Sequence, residues 1–203
     1  NLPVINTDIL FSQAEYLIIS HPDFINDDLT AYINYKSADY QVQLVDVNQI
    51  YAQFSYYNKE ANAIDEYLKY ASARMNTKFV LLIGGDTYDY HNNLNIGSLS
   101  FIPTLYTATD ELIKFAPVDA KYADTNNDNI PDISLGRLPV RTPDDRRVML
   151  NKIYLYDQKD YSQTVLISAD EFDTSQAYSF SADAESLISI LPDAWQANIT
   201  DDY

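Results

Sequence analysis

Five short apolar runs, separated by segments of helical period, leave this chain few folds to choose from. They are Glu15–His21 (EYLIISH), Tyr40–Val47 (YQVQLVDV), Lys78–Asp86 (KFVLLIGGD), Asp132–Val140 (DISLGRLPV) and Gln163–Glu171 (QTVLISADE). Runs of this length are too short for helices and read as strands; the first is continuously apolar, the mark of a strand covered on both faces, whereas the second alternates. Between the first two, Pro22 suits a first helical position, and Ile25, Leu29, Tyr32 and Ile33 recur at helical spacing. Ile64, Tyr67, Leu68, Ala71 and Met75 share one face of a helix expected over about 60–75. Thr142, Pro143 and Asp145 form a helix start, and Met149, Ile153 and Tyr156 are the expected buried face of that helix. A further helix is expected near Ala182–Ile190. Strand alternating with helix is the rhythm of a parallel sheet clothed by helices, so the class is α/β.

The 203 residues suffice for one large domain or for one and a half smaller ones. A mild boundary near Asp157–Tyr161 divides residues 1–158, a first α/β subdomain, from 159–203, the start of a second. No internal repeat or low-complexity tract stands out. The stretch Thr87–Tyr122 is long, polar and aromatic, and loops of that length are usually functional or heavily packed. Because the sequence begins with Asn1 rather than methionine, it is expected to be a piece of a longer precursor.

Charge and composition narrow the function classes. Thirteen basic residues against 30 acidic ones give a formal charge of -17, a surface that repels nucleic acid and anionic membrane. With no cysteine, the chain has no disulfide, no thiolate-bound metal and no thiol nucleophile of its own. No apolar run is long enough to span a bilayer.

The acidic stretch before the fourth strand points to a hard cation. Counted from Asp124, oxygen-bearing groups fall at position 1 (Asp124), 3 (Asn126), 5 (Asp128), 7 (the Ile130 carbonyl) and 9 (Asp132). Alternate residues of a curling loop point inward, and calcium takes six to eight such oxygens in irregular geometry, whereas magnesium demands a strict octahedron. The spacing matches the first nine places of an EF-hand-type loop. It departs from that pattern at position 6, where Asn129 replaces glycine, and at position 12, where Leu135 replaces a bidentate glutamate. Asparagine tolerates the left-handed backbone that such a glycine supplies. The missing ligand is expected from Asp86, at the end of the third strand. A plain acidic turn is the competing explanation, since Asp and Asn favour turns for their own hydrogen bonding.

These residues resemble a known family. YLIISH, FVLLIGGDTYD, YADTNNDNIPDISLGRLPVRT and VLISADE are similar to gingipain-type cysteine peptidases, family C25, over about residues 15–185. The resemblance implies a caspase-like, three-layer parallel-sheet sandwich, its first subdomain complete and its second only begun. It implies proteolysis by thiolate attack, with the catalytic histidine and cysteine on later strands. His21 and His91 lie in the wrong segments for that histidine. It also implies a calcium site formed by Asp86 with Thr125, Asp128, Ile130 and Asp132, and an orienting carboxylate at Asp170 or Glu171. Asp173, Asp183 and Glu185 are further candidates for calcium or substrate contacts. Arg137 is expected to pair with a nearby acid.

The function expected from all this is the N-terminal, calcium-stabilised portion of a secreted or cell-surface bacterial cysteine endopeptidase. Its partners would be the C-terminal remainder of the same precursor and protein or peptide substrates, with no nucleic acid and no membrane span. A non-catalytic calcium-binding module is the alternative. A flavodoxin-like or receiver-type domain, with Asp46 or Asp86 as phosphoacceptor, lacks the lysine-bearing strand and glycine-rich turns it would need. Asn198-Ile199-Thr200 fits a glycosylation acceptor pattern that also arises by chance.

Overall fold

A computed structural model describes residues 8–109, 111–159, 165–175, 177–196 and 199–202. Asn198 and the first two residues of the fifth apolar run, Gln163 and Thr164, lie outside them. The chain divides into two compact units, the first ending at Ile153 and the second beginning at Tyr154.

The first unit is built on a four-stranded parallel sheet. In chain order its strands are β1 (Tyr16–Ser20), β2 (Val42–Asp46), β3 (Phe79–Ile83) and β6 (Ser134–Leu138), and in space they run β2-β1-β3-β6. A two-residue hairpin, β4 (Tyr106–Thr107) and β5 (Ala116–Pro117), lies between β3 and β6 in sequence. The central strands behave as their apolar runs predict. Leu17, Ile18 and Ile19 of β1 and Leu82 and Ile83 of β3 are wholly buried. The edge strand β6 does not: Ser134 and Gly136 are exposed, because no further strand lies along its outer side among the described residues.

Side chains alternate across a strand, so each strand feeds two layers. Leu17, Ile19, Val45, Val80 and Leu82 join Ile50 and Tyr51 of α2 (Val47–Phe54) and Ile64, Tyr67, Leu68, Ala71 and Met75 of α3 (Ala61–Met75) in one apolar cluster. The α3 face is the one its spacing predicts. The helix α2 was not legible in the sequence. It exists because Asp46, the last residue of β2, caps it through a hydrogen bond from the Asn48 amide to the Asp46 carboxylate.

The opposite face carries α1 (Asp27–Lys36) and α5 (Pro143–Asp157). Here the helix expected at Pro22 is only a single 3-10 turn, Pro22–Phe24. The α-helix proper starts at Asp27, where the Asn26 side chain accepts from the Asp28 and Leu29 amides. Its neighbour α5 differs in its buried face. Arg146 and Leu150 are buried, Met149 and Ile153 half-buried, and Tyr156 is 62% exposed. The reason is Arg146, which is fully buried and reaches α1. It donates to the Phe24 carbonyl (2.5 Å), the Asn26 side chain (2.7 Å) and the Asp28 carboxylate (2.9 Å). These acceptors answer its two terminal nitrogens, while its buried Nε has no hydrogen-bond partner among the described residues.

The second unit comprises the end of α5, then β7 (Val165–Ser168), α6 (Phe180–Ser189), α7 (Asp193–Gln196) and β8 (Ile199–Asp202). The strands β7 and β8 pair in parallel. Unlike β1 and β3, β7 is not buried on both faces; Leu166 is 72% exposed.

Gly84 shows how closely the segment after β3 is fitted. Its φ is +147°, and a Cβ there would lie 2.7 Å from Phe101 Cβ and 3.2 Å from Ile102 Cγ1. Gly84→Ala is therefore expected to destabilise the first unit by about 2–4 kcal/mol, read as a lowered urea midpoint. A change below about 0.5 kcal/mol would show that the segment gives way freely.

Candidate functional site

The acidic loop leads into β6, and α4 (Ala120–Ala123) precedes it. Its backbone is drawn into a tight coil by its own side chains. Both Asp124 oxygens accept main-chain amides, from Asp128 at 3.0 Å and from Asn129 at 2.9 Å. Asp132 accepts from the Thr125 amide and hydroxyl, each at 2.8 Å, and from both the amide (3.2 Å) and the side-chain nitrogen (2.9 Å) of Asn126. Asp128 accepts from the Ile130 amide. Asn127 and Asn129 take left-handed φ values of 64° and 69°. Asn129 thus adopts the conformation for which the sixth position of such loops uses glycine.

Asp124, Thr125, Asn126, Asp128, Ile130 and Asp132 are brought together within this one coil. Its donors are carboxylate, amide, hydroxyl and carbonyl oxygens, a set that suits calcium and not a soft metal. The carboxylates are presently engaged by amides, and no three acidic or histidine side chains among the described residues converge at metal-site spacing. A cavity of about 300 Å³ adjoins the coil, lined in part by Asp65, Tyr106, Lys121 and Asp124. Asp65 and Lys121 are neighbours of the loop that spacing alone did not reveal, because α3 and α4 bring them there.

Asp86 is not part of this coil. The loop precedes its strand, so it lies at the amino end of β6, whereas Asp86 follows β3 and lies beyond its carboxyl end. Phe79 is in register with Ser134 and Ile83 with Leu138. The strand pair alone therefore runs roughly 16 Å between the two places. Shared carboxyl ends do not apply to a loop at an amino end, which is why Asp86 cannot complete the set. It has other work: it accepts from the Ser100 hydroxyl (2.6 Å), the Thr104 amide (2.9 Å) and the Tyr106 hydroxyl (3.4 Å). Burial, and then the Asp86 charge, raise the Tyr106 hydroxyl pKa to about 12.

These contacts belong to a second constellation at the carboxyl ends of the strands. In an open parallel sheet the crevice that takes ligands lies where the strand order reverses, here between β1 and β3. In this unit the chain fills that crevice itself. Ser100–Thr104 is buried along its whole length. Phe101 donates its amide to Gly85 and its ring stands 5.0 Å from His21 and 4.8 Å from Phe24. Lys59 donates to the Ser100 carbonyl, and Arg141 donates to those of Leu99 and Asp86. Burial depresses the His21 pKa, with the nearby Lys59 charge reinforcing it against Asp23 and Asp46. His21 is thus a packed, neutral residue at a strand end, and His91 is an exposed loop residue.

Arg137 is the centre of this constellation. It grips Asp119 through Nε (2.6 Å) and Nη2 (2.8 Å), and donates to the carbonyls of Gly84 (2.8 Å), Ile102 (2.7 Å) and Pro103 (3.4 Å). The expected acid is therefore Asp119, which also accepts from the Thr104 hydroxyl. Burial pushes the Asp119 carboxyl up, but the hydrogen bonds and charge of Arg137, with the Thr104 bond, outweigh it and leave the group below its ordinary value.

Asp170 and Glu171 follow β7 in the second unit, both exposed, with the Glu171 amide donating to Asp170 at 2.8 Å. Asp173 caps Ser175, and Asp183 accepts from the Tyr178 hydroxyl. Glu185 is exposed on α6.

The model of Peptidase family C25 matches residues 9–203. None of the curated proteins matches the chain in sequence. Dimeric latent PorU from Porphyromonas gingivalis shares its fold, with a TM-score of 0.58 at 16% identity over 80% of this chain and 20% of PorU. A solved protease structure does so too, with a TM-score of 0.57 at 14% identity over 81% of this chain and 34% of the protease. The chain thus spans a fifth of one relative and about a third of the other.

Asp119 gives a pH prediction. Its folded carboxyl titrates below the unfolded value of about 3.9, so its contribution is present above that pH and is lost as the pH falls through the folded value. Asp119→Asn should cost about 1–2 kcal/mol at pH 7, by leaving Arg137 without its half-buried ionic partner. It should also flatten the loss of stability between about pH 4 and pH 2, measured by chemical denaturation at each pH. Equal acid sensitivity in the two proteins would rule this out.

Proposed function

The chain belongs to peptidase family C25, and on that premise we propose that it is the N-terminal part of a larger, secreted or surface-attached bacterial cysteine endopeptidase. The observation that carries the reading is the family match running through both units of a chain that contains no cysteine. The nucleophile then comes from another part of the protein. The second unit supports this: among the described residues it has a two-stranded parallel sheet with Leu166 exposed, whereas parallel strands are normally covered on both faces.

In the whole enzyme, a cysteine thiolate would attack the substrate carbonyl. A histidine would pass its proton to the leaving amine, and water would then release the acyl group. Asp170 or Glu171, which follow β7, would orient that histidine and stabilise its cation. Protein or peptide substrates follow from that chemistry. The first unit, its crevice filled by Ser100–Thr104, serves as scaffold. The cysteine-free composition equally suits a non-catalytic binding module, and one measurement separates the two. The native gene product, purified whole, should contain a cysteine-bearing continuation or subunit and cleave peptides with thiol-reagent sensitivity. A complete native protein without cysteine is a binding module instead.

We also propose calcium at the coil Asp124–Asp132, with Asp124, Thr125, Asn126, Asp128, Ile130 and Asp132 supplying oxygens and Asp86 taking no part. Bound calcium would neutralise clustered carboxylates and tie the coil to β6. Near saturation the melting temperature should rise by roughly 5 °C over the chelated protein. Asp128→Ala should remove most of that rise. Identical melts with calcium and with chelator would exclude the site.

A further inference from the structure

His21 stands at the carboxyl end of β1 with its main chain pinned. Its amide donates to the Ile83 carbonyl (3.2 Å), and its own carbonyl accepts from the Phe24 amide and the Ser20 hydroxyl, each at 3.0 Å. The side chain has two roles. Its Nδ1 accepts from the Asp23 amide at 3.3 Å and so caps the 3-10 turn Pro22–Phe24. Its ring packs edge-on against Phe101, in the segment that fills the crevice, with 5.0 Å between centroids and 77° between planes. The cap needs a neutral imidazole, because a protonated Nδ1 has no lone pair for the amide. The packing favours one too, because a charge there gives up part of its hydration.

The charged groups that face the ring come from three elements. Asp23, on the turn, holds Oδ2 3.5 Å from Nδ1, and its side chain is 65% exposed and therefore hydrated. Asp46, at the end of β2, also favours a proton on the ring, while Lys59, between α2 and α3, opposes it. Lys59 is tied to the crevice segment itself, since it donates to the Ser100 carbonyl. Leu99–Thr104 carries no ionisable side chain. Burial, with Lys59, outweighs the two carboxylates, so His21 takes its proton less readily than a solvated histidine.

We propose that His21 is an acid-operated latch on the crevice segment of the first unit. Near neutrality the ring caps the turn and backs Phe101. In mild acid Nδ1 takes a proton, gives up the Asp23 amide and turns to the Asp23 carboxylate. The ring then leaves Phe101, and Ser100–Thr104 loses its support on that side. Linkage fixes the sign. The arrangement with the ring hydrated beside Asp23 binds the proton more tightly than the packed one, so falling pH favours it from about pH 6.5 downward. The clasp of Arg137 on Asp119 is intact over this range, because Asp119 titrates below about pH 3.9. The latch concerns the first unit alone and does not depend on the peptidase reading.

Hydrogen exchange on the native full-length polypeptide, read by mass spectrometry over residues 99–105, tests this. Corrected for the intrinsic chemical rate, exchange there should rise roughly tenfold between about pH 7.5 and about pH 5. The midpoint of the rise should coincide with the titration of His21, followed through the slow exchange of its ring Cε1 hydrogen in the peptide that carries it. His21→Asn keeps an acceptor for the Asp23 amide but has nothing to titrate, and His21→Phe keeps a ring against Phe101. Both should remove the pH dependence. A rate that does not change with pH, a midpoint that departs from that of His21, or an equal rise in either variant overturns the latch.

Discussion

Arg137 holds the first unit's upper edge together. A planar guanidinium offers five donors in fixed directions, and here they meet Asp119 twice and three carbonyls from two separate segments. Lysine has one nitrogen and could not span these acceptors. Because the carbonyls belong to Gly84, Ile102 and Pro103, the same side chain fixes both the end of β3 and the segment lying over it. Asp86 completes the clasp from the other side by accepting from Ser100, Thr104 and Tyr106. The long irregular stretch after β3 is therefore not a free loop; its buried middle is tied down through the Phe101 and Thr104 amides and the Ser100, Ile102 and Pro103 carbonyls.

That clasp has a functional consequence. Parallel sheets of this topology offer a crevice at their carboxyl ends, and families draw chemistry from it by varying the loops. In the first unit the loop occupies the space a ligand would need, and His21 is packed and neutral among Phe24 and Phe101. The second unit has the same opening arrangement but its strand end, at Asp170 and Glu171, is exposed.

The acidic coil shows how a motif and its tertiary surroundings come apart. The alternation of oxygens from Asp124 to Asp132 is a local property, and the coil forms as local hydrogen bonding dictates, with Asn129 left-handed. Asp86 is not local to it. Whether a distant carboxylate reaches a loop depends on which end of the sheet each occupies, and the loop stands before its strand while Asp86 stands after its own.

Sequence alone determined β1, β2, β3, β6 and β7, the face of α3 and the α/β class, because short apolar runs and helical spacing are written in consecutive residues. The motifs that resemble family C25 were equally legible, since each is a contiguous stretch. Tertiary structure decided the rest. It alone showed that Asp119 answers Arg137, that Arg146 replaces Tyr156 on the buried face of α5, and that Ser100–Thr104 fills the crevice. It alone joined β7 and β8 in the register of β1 and β2. These depend on residues far apart in the chain meeting at one end of a sheet, and periodicity carries no information about such meetings.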